Sequence, residues 1–322
     1  MEKLTIYLGS RCNLKCAYCH RVADTEEPSI SESLLRYIRK KKALSIRFIG
    51  GEPTLYMDEI QKVVDAAPGA SFSITTNGVL FEKYRDYFLK HHFHVCLSFD
   101  GSQESLRGYD PFQKVLDYPW VAVSCTLYHG NTDFTQILQS FAAKEKIIGR
   151  SLSFFPHIMH VTSKENAAFA LTREDFRNIA RQWEDCVAEL VEGYEKQGII
   201  NDRYMGLFWS LYQREQAKYR FGETYCVNYR VKKCDASGRF FTCLYLRNQV
   251  LPAVSPIRRQ KRIMEAKFPH CWHCLVYPYC GGACIKSRQH ELECYFYKRL
   301  YTWWLSFCKA HRKAIDELGG TI

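Results

Sequence analysis

Strand-like and helix-like stretches alternate through the first half of this chain, and that alternation limits its fold more than any other feature. Leu4, Ile6 and Leu8 are apolar at every second position, as on a half-buried strand. Ser29 and Glu32 are spaced as a capping box ahead of Leu34, Leu35 and Ile38. Further strands are expected over 44–49, 71–75, 95–99, 120–127 and 151–155. Helices are expected over 57–67, 80–91 and 132–146, with a short one over 110–117. Such a series predicts an α/β fold with a parallel sheet and helices outside it. Six βα units do not close an eight-stranded barrel, so an open, partial (β/α)6 barrel is expected.

The rest of the chain reads differently. Thr172 and Asp175 form a capping box for a helix over 172–197 that Gly198 terminates, and this helix reads as a bridge between two parts. From about Tyr219 the composition shifts towards cysteine and aromatics, and eight of the 15 cysteines fall between Cys226 and Cys294. No apolar run approaches the ~18 residues of a membrane span. Met1 leads straight into the first strand without a signal segment, so a cytoplasmic protein that does not engage a membrane is expected. In that reducing compartment, closely spaced cysteines point to metal ligation before disulfides. The net charge of +11 is carried by dispersed Lys and Arg, with one dense run at Arg258-Arg259-Gln260-Lys261-Arg262 that reads as a solvated helix face. No nucleic-acid motif accompanies it, and a basic surface suits an acidic peptide or an acidic electron donor better than nucleic acid.

Directly after the first strand, Cys12, Cys16 and Cys19 are spaced C-x3-C-x2-C, with Tyr18 before the last. Three thiolates on one loop can hold three irons of a four-iron cluster and leave the fourth open to an outside ligand. Three such cysteines also occur in zinc knuckles. One βα unit later comes Gly50-Gly51-Glu52-Pro53, whose glycines permit a close backbone approach. Asn77 and Gly78 end the third strand, and Ser98, Asp100 and Gly101 end the fourth, at the carboxyl edge where open α/β sheets bind ligands. This set resembles the radical S-adenosylmethionine (SAM) enzymes. The resemblance implies that the open iron chelates SAM. Its binding residues would be Tyr18, Gly50, Gly51, Glu52, Asn77, Ser98, Asp100 and Arg107, the last pairing with the SAM carboxylate.

In the C-terminal part, Cys271, Cys274, Cys280 and Cys284 are spaced C-x2-C-x5-C-x3-C, and Cys294 follows. Upstream, Cys226 and Cys234 precede a hairpin turn over 235–238 and then Cys243. The series resembles the SPASM domain, the twin-cluster extension of radical SAM enzymes that modify peptides. It implies a first auxiliary cluster on Cys226, Cys234, Cys243 and Cys284, and a second on Cys271, Cys274, Cys280 and Cys294. Without Cys234 the first cluster would present an open iron to a substrate thiolate. Two structural zinc sites are the alternative for these eight cysteines.

The resemblance divides the chain into a radical SAM partial barrel over 1–165, a helical bridge over 166–218 and a small SPASM domain over 219–322 with a β-hairpin and a C-terminal helix. It implies SAM and three [4Fe-4S] clusters, which would lower the net charge to about +6. Reductive cleavage of SAM would release a 5′-deoxyadenosyl radical that takes a hydrogen atom from a ribosomally made peptide, in order to install a thioether, C–C or C–O crosslink. The expected partners are a precursor peptide and a reductant such as flavodoxin or ferredoxin. Because the barrel starts at residue 4, a leader-binding domain would be a separate protein or unnecessary. Two related activities stay open. A peptide epimerase would use a hydrogen-donating thiol, with Cys186 the candidate among Cys96, Cys125, Cys186 and Cys308, which otherwise read as buried apolar groups. A sulfatase formylglycine maturase is disfavoured because Leu244 follows Cys243 where those relatives carry an Asp. The reading from a different class is a non-catalytic zinc or iron–sulfur protein with a structural or sensing role.

Overall fold

The computed structural model of the chain describes residues 2–19, 27–101, 106–113, 117–223, 231–241, 243, 256–282 and 284–320. Among the described residues seven strands form one sheet in the order β6-β5-β4-β3-β2-β1-β7. They are β1 Glu2–Tyr7, β2 Leu44–Ile49, β3 Ser71–Thr76, β4 His94–Ser98, β5 Val121–Leu127, β6 Phe154–Ile158 and β7 Val231–Asp235. The pairings of β1 with β2, β2 with β3, β3 with β4 and β1 with β7 are all parallel, which makes the sheet the partial barrel expected of this pattern. Between the strands run α1 Glu32–Arg39, α2 Met57–Ala66, α3 Phe81–Lys90 and α4 Phe134–Ile148. After β6 come α5 Arg173–Gln197, α6 Met205–Ala217, α7 Pro256–Lys267, α8 Tyr277–Cys280 and α9 His290–Gly320. No helix among the described residues is long and apolar enough to cross a membrane.

The chain falls into two compact units. The first comprises Met1–Phe99, Gln103–Val123 and Cys226–Pro256. Its sheet buries Leu4, Ile6, Ile46, Ile74 and Leu97, and Phe48, Phe72 and Phe93 stack on one another with centroids 5.3–6.4 Å apart. β7 leads into the hairpin turn read from the sequence, but its parallel pairing with β1 is not given by local pattern: it places Cys234 opposite Ile6 on the outer side of β1. The turn after it is the expected hairpin, with Gly238 at φ +83° and the Phe241 N–H returning to Lys233 O at 3.0 Å.

That hairpin also decides how α1 begins. The N-cap is Ser31, two residues after the expected Ser29, and its Oγ accepts the Leu34 N–H at 3.2 Å. The Ser31 N–H donates to Ala236 O at 3.0 Å and its hydroxyl to Ser237 O at 2.7 Å. A serine at 29 has equal capping chemistry, so the contact with the hairpin selects between them. Two other expectations shift. The helix over 110–117 is a single 3-10 turn, Pro111–Gln113, capped by Asp110, with 114–116 outside the described residues. β6 starts three residues late and contains Pro156, which an edge strand tolerates.

The second unit comprises Asp100–Ser102, Ser124–Tyr225 and Ile257–Ile322. Here the capping box forms as read: Thr172 Oγ1 accepts the Asp175 N–H at 3.1 Å and Asp175 Oδ2 accepts the Thr172 N–H at 2.7 Å. Gly198, at φ +68°, closes α5. Trp183 of α5 and Trp304 of α9 are buried, their indole N–H groups donating to Leu207 O and Glu215 Oε2 at 3.2 and 3.0 Å.

Candidate functional site

In the first unit the segment after β1 is fastened to the segment after β2 chiefly through the backbone. The Leu8 N–H donates to Ile49 O at 2.9 Å, the Gly51 N–H to Gly9 O at 2.7 Å and the Glu52 N–H to Arg11 O at 2.7 Å. The two chains pass so closely that a Cβ on Gly50 would stand 2.6 Å from Gly9 O, and one on Gly51 would stand 2.2 Å from Arg11 O. The glycines therefore admit the cysteine loop itself. Tyr56 adds a side-chain clamp by accepting the Arg11 N–H on its hydroxyl at 3.0 Å. Beyond this anchor Cys12 and Cys16 are half-buried and Cys19 is exposed, with the Cys19 N–H turned back to Cys16 O at 3.0 Å.

Glu52 is 1% exposed and ties the ends of β2 and β3 together. Its Oε1 accepts from the Thr54 N–H (3.0 Å), Thr54 Oγ1 (2.7 Å) and Thr76 Oγ1 (2.7 Å), and its Oε2 accepts from the Asn77 N–H (2.7 Å). Burial pushes this carboxyl above its ordinary value, and the donors from Asn77, Thr54 and Thr76 pull the other way. Asn77 carries the link onward, its Nδ2 donating to Asn13 Oδ1 at 2.8 Å and to Cys12 Sγ at 3.6 Å. The Leu14 N–H also points at Cys12 Sγ, at 3.4 Å. Arg107 lies over the ring of the buried Tyr18, 5.6 Å from its centroid. Ser98 ends β4 and is half-buried. Asp100 belongs to the second unit, where it is fully buried and its Oδ1 accepts the Thr126 N–H at 3.0 Å.

The first unit therefore gathers Cys12, Cys16, Cys19, Tyr18, Gly50, Gly51, Glu52, Asn77 and Arg107, and leaves Asp100 to the other unit. Three thiols on one loop, reachable from solvent and with N–H donors directed at Cys12, form a donor set that suits a cluster with one open iron. Thr54, Thr76, Asn13 and Tyr56 belong to the same network and were not read as site residues. The hydroxyls of Thr54 and Thr76 flank motifs that were read, whereas nothing in the sequence marks Tyr56.

In the second unit Cys271, Cys274, Cys280 and Cys294 line a single cavity, together with Phe268 and Tyr277. Burial pushes the Cys271 thiol up to about 12, and Cys280, Cys294 and Cys274 add to that rise. Cys280 is pushed up to about 11 by burial, while the Gly282 N–H, which donates to its sulfur at 3.2 Å, pulls it down. The neighbouring thiols oppose the ionisation of Cys271 and Cys280, which a multivalent iron centre would relieve, so these residues fit such a group. Cys284 is half-buried in this unit, and its N–H donates to Glu293 Oε2 at 3.2 Å. Glu293 is 1% exposed and also accepts from His160 Nδ1 (2.9 Å) and Ser287 Oγ (2.5 Å).

Cys234 and Cys243 are buried in the first unit, and burial together with the charge of Asp235 pushes Cys234 up to about 12. Cys226 and Leu244 lie outside the described residues. Among the described residues no three of His, Cys, Asp and Glu are gathered closely enough to hold one metal ion. Cys186 lines an open cleft with Asp185, Glu189, Arg203 and Tyr204, and burial pushes its thiol up to about 12. Cys125 and Cys308 are buried and Cys96 half-buried, with Cys308 Sγ 3.6 Å from Glu215 Oε2.

Residues 6–118 match the radical SAM superfamily model. A probable GTP 3′,8-cyclase of Pyrococcus abyssi is 23% identical over 285 residues, covering 80% of this chain and 89% of the relative. The likeness to the probable GTP 3′,8-cyclase of Archaeoglobus fulgidus is 34% over 91 residues, 27% of this chain and 31% of that protein. The radical SAM cyclopropyl synthase TigE of Paramaledivibacter caminithermalis is 27% identical over 135 residues, 33% of this chain and 29% of the synthase. Among solved structures, anSMEcpe with bound AdoMet superposes with a TM-score of 0.66 at 18% identity, covering 98% of each chain. The same protein is also known with bound AdoMet and a Kp18Cys peptide. Residues 6–118 thus resemble the radical SAM superfamily, and the chain shares its fold with anSMEcpe.

Proposed function

We propose that this chain uses SAM and a cluster on Cys12, Cys16 and Cys19 to modify a ribosomally made peptide by hydrogen abstraction, installing a thioether, C–C or C–O crosslink. The observation that carries the reading is the fastening of the three-cysteine loop to the carboxyl ends of β2 and β3 through Gly51, Glu52 and Asn77. When bound, the cluster and SAM supply one-electron cleavage of SAM and a carbon radical able to take hydrogen from an unactivated C–H bond. The chain's own part is to hold and orient. The thiolates of Cys12, Cys16 and Cys19 take three irons and leave one for SAM. Arg107, braced on Tyr18, offers a guanidinium to the SAM carboxylate, and Ser98 offers a hydroxyl to the ribose or carboxylate. The backbone of Gly50 to Pro53 receives the SAM amino group.

Peptide modification is supported by the cysteine-lined cavity of the second unit, which would take an auxiliary [4Fe-4S] cluster on Cys271, Cys274, Cys280 and Cys294, and radical chemistry by the partial likeness to the radical SAM cyclopropyl synthase TigE. A further auxiliary cluster is what the SPASM resemblance implies, and a flavodoxin or ferredoxin would supply electrons. A second reading, cyclisation of a nucleotide, is favoured by the likeness to probable GTP 3′,8-cyclases over 80% of the chain.

Anaerobic reconstitution tests both. About twelve irons per chain, falling by about four in a C12A/C16A/C19A variant that also loses 5′-deoxyadenosine release, is the expected result. Zinc in place of iron, or full iron without SAM cleavage, refutes it. Consumption of GTP, with peptides encoded beside the gene left unmodified, selects the second reading.

A further inference from the structure

We infer that Asn77 is a positioning residue whose carboxamide N–H, aimed at the Cys12 sulfur, raises the reduction potential of the cluster on Cys12, Cys16 and Cys19. This rests on the reading that those cysteines hold a cluster, and it gives Asn77 a task other than the SAM contact its motif implied.

The orientation of the amide follows from its neighbours. Asn77 Oδ1 accepts the Val79 N–H at 3.0 Å, so the opposite end of the group must be the NH2. That end has two hydrogens and two acceptors, Asn13 Oδ1 at 2.8 Å and Cys12 Sγ at 3.6 Å. The backbone is pinned as well, because the Asn77 N–H donates to the buried Glu52 carboxylate at 2.7 Å. Asn77 is 6% exposed, so no solvent rearrangement competes for its amide. The side chain is thus held at both ends with one N–H directed at a ligand sulfur.

A donor fixed beside a thiolate sulfur stabilises the added negative charge when the centre accepts one electron from an external reductant, which makes reduction easier. Cys12 receives this side-chain donor and also the Leu14 backbone N–H, which substitution cannot remove. The side chain at 77 is therefore the adjustable element. Asparagine suits it, because aspartate would keep the Val79 bond but present an acceptor and a charge to the sulfur.

The test uses the full-length chain, reconstituted without oxygen and titrated with Ti(III) citrate, following the electron paramagnetic resonance signal that is missing from C12A/C16A/C19A. Asn77→Ser removes the donor, and Asn77→Asp replaces it with an anion. Both are expected to keep the wild-type iron count. The one-electron reduction equilibrium should fall at least tenfold for Asn77→Ser, a shift of 59 mV, and further for Asn77→Asp. Asn13→Ala, which leaves the donor in place, should shift it less than threefold. Wild-type potentials in both Asn77 variants overturn the inference, as does loss of about four irons in both, which would make Asn77 a scaffold residue only. A wild-type chain lacking any signal that the triple variant removes refutes the cluster reading itself.

Discussion

Replacing Gly51 with alanine should cost far more than a methyl group usually does. The new Cβ would stand 2.2 Å from the Arg11 carbonyl oxygen and 2.3 Å from that of Ser10, over an ångström inside the 3.4 Å at which contact becomes ordinary. Both obstacles are backbone, so no rotamer change relieves them. The Ser10–Arg11 peptide must move, and with it the 2.7 Å bonds from Gly51 to Gly9 and from Glu52 to Arg11. Losing two hydrogen bonds at about 1 kcal/mol each, with an overpacking cost of about 1–3 kcal/mol, gives about 3–5 kcal/mol. Because Cys12 follows Arg11 directly, iron loading on the loop should fall together with stability. Urea unfolding of the metal-free chain and iron content after reconstitution read the two effects. Gly69→Ala, where a Cβ meets nothing within 4 Å, is the matched control and should change stability by less than about 1 kcal/mol. A loss below about 1 kcal/mol in Gly51→Ala, with full iron, would refute the account of these glycines as a cradle for the loop.

Gly193 lies inside α5, where an added Cβ would meet nothing within 4 Å, so Gly193→Ala should stabilise the chain by about 0.5–1 kcal/mol, read as a higher urea midpoint. Glu2 bonds Lys41 at 2.8 Å, Lys232 at 3.0 Å and the Tyr37 hydroxyl, and these hold its carboxyl down at about 2. Between its ordinary value and about 2 the unfolded chain binds more protons, so the stability Glu2 contributes is present above about pH 4.5 and is lost as pH falls towards 2. Glu2→Gln should remove about 1 kcal/mol of that acid-sensitive stability, and a pH series of urea midpoints parallel to wild type would contradict it.

Elements governed by local chemistry were legible in the sequence. β2 occupies the residues read for it, and the Thr172–Asp175 capping box and the αL Gly198 bound α5 as expected. What escaped was settled by partners far along the chain. Ser31 displaces Ser29 as a cap because residues 236 and 237 dock on it. β7 joins β1 through a pairing of residues more than 220 positions apart, which no local periodicity reports. At the site, residue types and spacing located the motif, but not how its groups are spent. Glu52 uses both oxygens within the protein, Gly51 yields to a neighbouring carbonyl, and the Asn77 amide turns to a sulfur.

The position of β7 also sets a timetable for synthesis. β1 finds β2 as soon as residue 49 is made, but its other edge stays open until Val231–Asp235 emerges. At ribosomal rates of about 5–20 residues per second that interval lasts roughly ten to forty seconds, during which a row of unpaired amides and carbonyls is available to other chains. A version shortened before residue 231 would keep that edge for its lifetime. Expression of the barrel alone should therefore yield aggregates, and a covalently appended copy of residues 231–241 should restore solubility.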